Sequence, residues 1–173
     1  MRRLMLLRHA KAVASARGGD IERPLAPRGR AAVPVLGAYL AAETLLPDLA
    51  LVSPARRTHE TWDLLAPSLG PTPMRIEPRI YEAPSERLLA VVQETDADVR
   101  TLLMIGHNPG FAELAVSLVG HGDRYAFARM MQKFPTAGLA VIDLPVEDWR
   151  DAAPRSGRLD RFVTPKSLGG DDD

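Results

Sequence analysis

Three short basic clusters hold most of the chemistry this sequence can offer, and each follows an apolar run. Arg8-His9-Ala10 comes after Leu4-Met5-Leu6-Leu7, Ser53-Pro54-Ala55-Arg56-Arg57-Thr58 after Leu49-Ala50-Leu51-Val52, and Gly106-His107-Asn108-Pro109-Gly110 after Leu102-Leu103-Met104-Ile105. If the runs are parallel strands, the clusters meet beyond one edge of a sheet, where open α/β sheets bind ligands. Two histidines and at least two arginines, with no carboxylate inside the clusters, suit a multiply charged anion. Phosphate fits best, because guanidinium groups bind its oxygens bidentately and stay charged at any working pH. A helix starting at Asn108-Pro109 is expected to add unpaired backbone N–H groups and a positive dipole end. A lone histidine after a strand is ordinarily a hydrogen-bonding residue; three converging strand ends make His9 and His107 candidates for chemistry.

Together with Leu139-Ala140-Val141-Ile142, these runs suit strands buried on both faces. Ala32, Val35, Leu36, Tyr39 and Leu40 recur at helical spacing, which predicts a helix from about Pro27 with Pro34 disturbing its early turns. Further helices are predicted over 56–65, around Leu88, Leu89, Val91 and Val92 with Ser85 as cap, and from Pro109 with Phe111, Leu114, Ala115, Leu118 and Val119 on one face. A last strand is expected near Leu159 to Val163, after a polar, turn-rich stretch from Pro145 to Ser156. Strand and helix in alternation predict an α/β three-layer sandwich, a mostly parallel central sheet flanked by helices, with right-handed crossovers. One domain is expected over residues 1–168, followed by a flexible acidic tail, 169–173, that carries nothing to pack.

Composition removes several function classes. A 46% hydrophobic, 25% charged chain is globular, and 22 basic residues against 22 acidic ones create no overall field for nucleic acid or an anionic membrane. There is no cysteine, hence no thiolate metal site and no cysteine nucleophile. No apolar run reaches the roughly 20 residues of a membrane helix, and the start lacks the longer apolar region of a signal peptide, so a cytoplasmic protein is expected. Neither Gly-x-x-x-x-Gly-Lys-Ser/Thr nor Gly-x-Gly-x-x-Gly follows a strand, so nothing supports a nucleotide-binding protein. His59 and His121 lack partners at metal-ligand spacing, and no metal site is expected.

The clusters carry a family resemblance. Leu7-Arg8-His9-Ala10 resembles the Arg-His-Gly signature of the histidine phosphatase superfamily, Ser53 to Thr61 its Ser-x-x-x-Arg-x-x-x-Thr segment, and Gly106-His107-Asn108 its second-histidine motif. Asp20 to Gly29, with Arg23-Pro24-Leu25 and Arg28-Gly29, is further similar to the SixA-type phosphohistidine phosphatases, and motif-bearing similarity runs from about Leu4 to Leu118. Ala10 departs from the superfamily's usual Gly, and Ala26 from the branch's usual Thr or Ser, which removes a capping hydroxyl before Pro27 but no catalytic group.

The resemblance implies a phosphoglycerate mutase-like fold and a metal-independent phosphatase without a cofactor. In it, His9 would attack phosphorus through one ring nitrogen while the other donates to a backbone carbonyl, giving a phosphohistidine that water cleaves. Arg8, Arg57 and His107 would hold the equatorial oxygens, with Asn108 also at the phosphate; the four-residue spacing after Ser53 selects Arg57 over Arg56. Many members place an acid after the third strand, which here offers Glu82, with Asp20 or Glu22 from the first long loop as alternatives. The SixA-type branch often lacks one, which suits phosphohistidine because imidazole leaves more readily than an alkoxide. The implied partner is a phosphohistidine-carrying signalling or phosphotransfer protein. A small-molecule phosphomonoesterase and a catalytically silent phosphate-binding docking module stay open, whereas phosphoglycerate mutases are longer. An uncovered pocket, set by loops around 10–26 and 120–137, would favour a protein-borne phosphoryl group.

Overall fold

Leu4 to Leu7 are all fully buried, and alternate residues of this one strand serve two different cores. In the computed structural model, which describes residues 1–173, the strand is β1 (Arg2–Arg8). Leu4 and Leu6 share one core with Leu102, Met104, Ala140 and Ile142, while Met5 and Leu7 share the other with Leu103, Ile105, Leu139 and Val141. This period of two, apolar on both sides, is what a strand covered by helices on each face requires. Helices α1 (Pro27–Ala42) and α2 (Arg56–Leu69) cover one face through Val33, Leu36, Leu40, Trp62 and Leu65. The other face is covered by α3 (Ser85–Gln93), α4 (Gly110–Leu118) and α5 (Arg124–Gln132), through Val91, Phe111, Leu114 and Met130. The expected three-layer α/β sandwich is borne out.

The remaining strands are β2 (Leu49–Val52), β3 (Met74–Ile76), β4 (Thr101–Gly106), β5 (Val119–Gly122), β6 (Leu139–Leu144) and β7 (Gly157–Val163). All seven form one sheet in the order β3-β2-β4-β1-β6-β7-β5. From β3 to β1 the strands run parallel; β6 is antiparallel to both β1 and β7, and β5 is parallel to β7. Arg8 pairs with Gly106 and Val52 with Ile105, so β1, β2 and β4 end level. Their following residues, His9, Ser53 and His107, therefore emerge along one edge. No helix is long and apolar enough to cross a membrane.

Several local expectations are corrected. The buried face of α1 is Gly29, Val33, Leu36, Gly37 and Leu40, and Val35 is half exposed, because the helix packs through its glycines. A Cβ on Gly29 would lie 2.1 Å from the Lys11 carbonyl oxygen, and one on Gly37 would lie 2.4 Å from Ser68 Oγ. Pro34 does not interrupt α1; it is exposed, so its ring and missing N–H face solvent. Ser85 is the first residue of α3 and makes no capping bond, since Pro84 takes the cap position. Pro109 likewise precedes α4, after a cis Asn108–Pro109 bond. Trp149 is fully buried, its indole N–H donating to the Val99 carbonyl at 2.7 Å. The tail, expected to have nothing to pack, folds back: Asp173 accepts from Thr136 N (3.1 Å) and Thr136 Oγ1 (3.0 Å), and Asp172 from Lys166 N (2.8 Å).

Candidate active site

His9 leaves the end of β1 with only 6% of its surface exposed. Its Nδ1 lies 2.8 Å from the Ala10 carbonyl oxygen. A carbonyl can only accept, so Nδ1 carries the proton and Nε2 keeps a free lone pair. Ala10 is itself buried, its N–H bound to Thr61 Oγ1 at 3.1 Å, and it does not adopt positive φ, so alanine in place of glycine is unstrained. Burial, reinforced by the charges of Arg57, Arg8 and Arg23, lowers the His9 pKa to about 3.

His107 stands across the pocket, its ring 5.3 Å from that of His9. Arg57 Nη2 lies 3.2 Å from His107 Nδ1, and since arginine can only donate, Nδ1 is unprotonated. Nε2 then carries the proton and donates to Ser53 Oγ at 2.8 Å. Burial, followed by the neighbouring His9 and Arg57, lowers the His107 pKa to about 3. Both rings are thus neutral at pH 7, one with a free nitrogen and one with its nitrogen facing a guanidinium. Arg57, only 4% exposed, lies in the first turn of α2, and Thr58 and Thr61 hold that turn through bonds to the Ser53, Ala55 and Arg57 carbonyls. Arg56 points away, pairing with Glu60 at 3.0 Å.

Arg8 donates through Nη1 to the Phe134 carbonyl at 3.1 Å, and burial lowers its pKa. The Nε–H groups of Arg8 and Arg57 are both buried without any hydrogen-bond partner. A buried, unpaired guanidinium N–H costs on the order of 1–3 kcal/mol, which an anion between the two arginines would recover. No group of three or more His, Asp or Glu stands close enough to hold a metal ion.

Of the candidate carboxylates, only Asp20 touches this cluster. Its Oδ2 accepts from Arg57 Nη2 (3.1 Å) and from the Tyr81 hydroxyl (2.5 Å), and its backbone carbonyl accepts from Arg57 Nη1 (2.8 Å). The Tyr81 bond, followed by Arg57 and Arg23, lowers the Asp20 pKa to about 2, and Asp20 in turn raises Tyr81 to about 12. Glu22 is exposed and makes no such contact; Glu82, also exposed, lines a hollow with His107, Asn108 and Glu113. Asn108 donates to the Phe134 carbonyl at 2.9 Å and accepts from Ala112 N at 3.2 Å. The start of α4 is thereby satisfied from within, with Phe111 N also bound to the His107 carbonyl, rather than left open as expected.

The sequence model of the histidine phosphatase superfamily (branch 1) matches residues 4–88, which carry the first two clusters. An uncharacterized protein of Mycobacterium tuberculosis is 33% identical over 92% of this chain and its own full length. A protein of Nakamurella multipartitia assigned as phosphohistidine phosphatase SixA superposes with a TM-score of 0.83 at 27% identity, covering 95% of this chain and 96% of its own. One so assigned from Agrobacterium tumefaciens gives 0.80 at 29% identity, covering 95% and 98%. The chain belongs to the histidine phosphatase superfamily. Within it the likeness is to the SixA-type branch, and the three clusters assemble an unprotonated imidazole nitrogen beside fixed guanidinium groups. What the motifs missed is Tyr81, whose ring edge meets His107 at 5.5 Å and whose hydroxyl holds Asp20. No local pattern marks it.

Proposed function

We propose that this histidine phosphatase hydrolyses phosphohistidine on a protein, through a phosphohistidine intermediate on His9. The observation that carries the reading is the pairing of a free His9 Nε2 lone pair with two unpartnered, buried guanidinium N–H groups, on Arg8 and Arg57. The lone pair attacks phosphorus in line, the bond to the leaving group breaks, and water then cleaves the new P–N bond. The guanidinium charges take the oxygens of the transferring group, which is the role a metal ion plays elsewhere, so no metal is required. A phosphate dianion would raise the His107 pKa and let its Nδ1 donate to an oxygen. Asn108 supports the site indirectly, holding the Phe134 carbonyl that also receives Arg8.

One feature favours a phosphohistidine substrate over a small ester. The one carboxylate in contact with the arginines is held ionised and cannot protonate an alkoxide. For a small phosphomonoester Glu82 would have to serve as acid, and its place in the hollow beside His107 is what favours that second reading. A silent docking module has no use for the free nitrogen of His9. The test is turnover of a phosphohistidine-bearing carrier protein without added metal, with trapping of acid-labile, alkali-stable phosphate on the enzyme. His9→Ala should abolish both turnover and label; label surviving in that variant would remove His9 as nucleophile.

A further inference from the structure

Asp20 stands in the 3-10 turn Asp20–Glu22 of the first long loop, and none of the roles above uses its carboxylate. Oδ2 is held by Arg57 and Tyr81, and Oδ1 accepts from Arg23 Nε at 3.0 Å. Donors from α2, from the segment before α3 and from its own loop therefore fix its position. Its side chain is nonetheless 43% exposed, so lone pairs remain open toward solvent. The charged and titratable groups around it are Arg23, Arg57 and Tyr81, with His107 beyond Arg57 and Glu82 beside Tyr81. Ionised by these neighbours, it cannot be a general acid at neutral pH. His9 and His107 are buried whereas Asp20 is partly exposed, so Asp20 would meet a leaving group that in-line attack by His9 displaces toward solvent.

We propose that Asp20 is a specificity-determining catalytic residue whose carboxylate accepts a hydrogen bond from the protonated leaving imidazole of the substrate. The proposal rests on the reading that the substrate is an N-phosphorylated imidazole. A proton from solvent sits on the substrate ring nitrogen that does not carry phosphorus, and Asp20 stabilises this cationic ring. His9 Nε2 then forms its bond to phosphorus as the substrate P–N bond breaks. The electron pair returns to the nitrogen that held phosphorus, and the ring departs as neutral imidazole with its proton on the other nitrogen. No proton has to be delivered during the step, so no separate acid is needed. The same fixed negative charge opposes the departure of a phenolate or alkoxide, where negative charge grows on the leaving oxygen.

The test compares kcat/KM of Asp20→Asn and the wild-type enzyme on a phosphohistidine peptide and on p-nitrophenyl phosphate across a pH series. Asp20→Asn should lower the value for phosphohistidine about 10- to 100-fold, the worth of one charged hydrogen bond, and raise that for p-nitrophenyl phosphate. The wild-type rate on phosphohistidine should also persist to higher pH than that of the variant, because the carboxylate raises the pKa of the substrate ring. Asp20→Glu should recover part of the phosphohistidine activity. Equal losses on both substrates would reduce Asp20 to a brace for Arg57 and overturn the proposal, as would no change on either. A wild-type enzyme active on the aryl phosphate but not on phosphohistidine would overturn the substrate reading itself, and this proposal with it.

Discussion

Folding stability in mild acid should report directly on the two buried histidines. His9 and His107 are held to a pKa of about 3, chiefly by burial, whereas an unfolded histidine titrates near 6.5. Between those values the unfolded chain binds more protons than the folded one, so stability falls as pH falls below about 6.5. At pH 5 each unfolded histidine gains about 2 kcal/mol from protonation that its folded counterpart does not share, or about 4 kcal/mol for the pair relative to pH 8. Asp20, held at a pKa of about 2, stays ionised at pH 5 and adds its own loss only in stronger acid. The assay is urea unfolding at pH 8, 6 and 5 for the wild type, His9→Gln, His107→Gln and the double variant. The wild type should lose about 4 kcal/mol more than the double variant between pH 8 and 5, and each single variant about 2 kcal/mol more. Saturating phosphate should shrink the wild-type loss, since an anion beside the rings favours their protonated forms. Equal losses in the wild type and the double variant would refute the claim that these rings are held neutral.

Arg57→Ala removes the donor that faces both Asp20 and His107, and should lower kcat roughly 100- to 1,000-fold with the fold retained by circular dichroism. Normal turnover would exclude Arg57 from the phosphoryl site. Glu82→Gln should cost about 100-fold on an alkyl phosphate if Glu82 is an acid for oxygen leaving groups, while changing phosphohistidine hydrolysis little. Loss of phosphohistidine activity to the same degree would argue that imidazole departure needs the acid too. Gly29→Ala places a methyl 2.1 Å from the Lys11 carbonyl oxygen, two residues past His9. It should destabilise by about 1–3 kcal/mol and lower kcat; a melting temperature matching the wild type would refute the close approach.

Legibility in the sequence followed how local each signal was. β1, β2, β4 and β6 could be read because strands buried on both faces become short apolar runs, and Arg8, His9, Arg57 and His107 could be read because they directly follow such runs. The face of α1 was misread because two of its five buried residues are glycines, chosen for close approach to Lys11 and Ser68, and they carry no hydrophobic signal. β5 was invisible for a related reason: three of its four residues are exposed, including His121, so it has no buried stripe to show.

The carboxylates of the site show the limit most clearly. From sequence, Glu82 is the favoured acid, with Asp20 and Glu22 as alternatives, each a loop acid near a basic cluster; the structure instead brings Asp20 to the arginines. What separates them is where the first long loop lies, and that is set by contacts with no periodicity. Arg23 Nη1 donates to the Val13 carbonyl at 2.9 Å, Ala12 bridges to Leu25, and Leu25 N donates to Glu60 Oε1 at 2.8 Å. Glu60 lies on α2, one turn beyond Arg57, so the residue that anchors the loop and the residue that receives Asp20 ride on the same helix. The distance between Asp20 and Arg57 is therefore not left to the loop's own stiffness. It is built into α2, whose N-terminal turn is fixed in its turn by the strand end that carries Ser53, and this is how a mostly exposed loop can hold one carboxylate against a buried guanidinium.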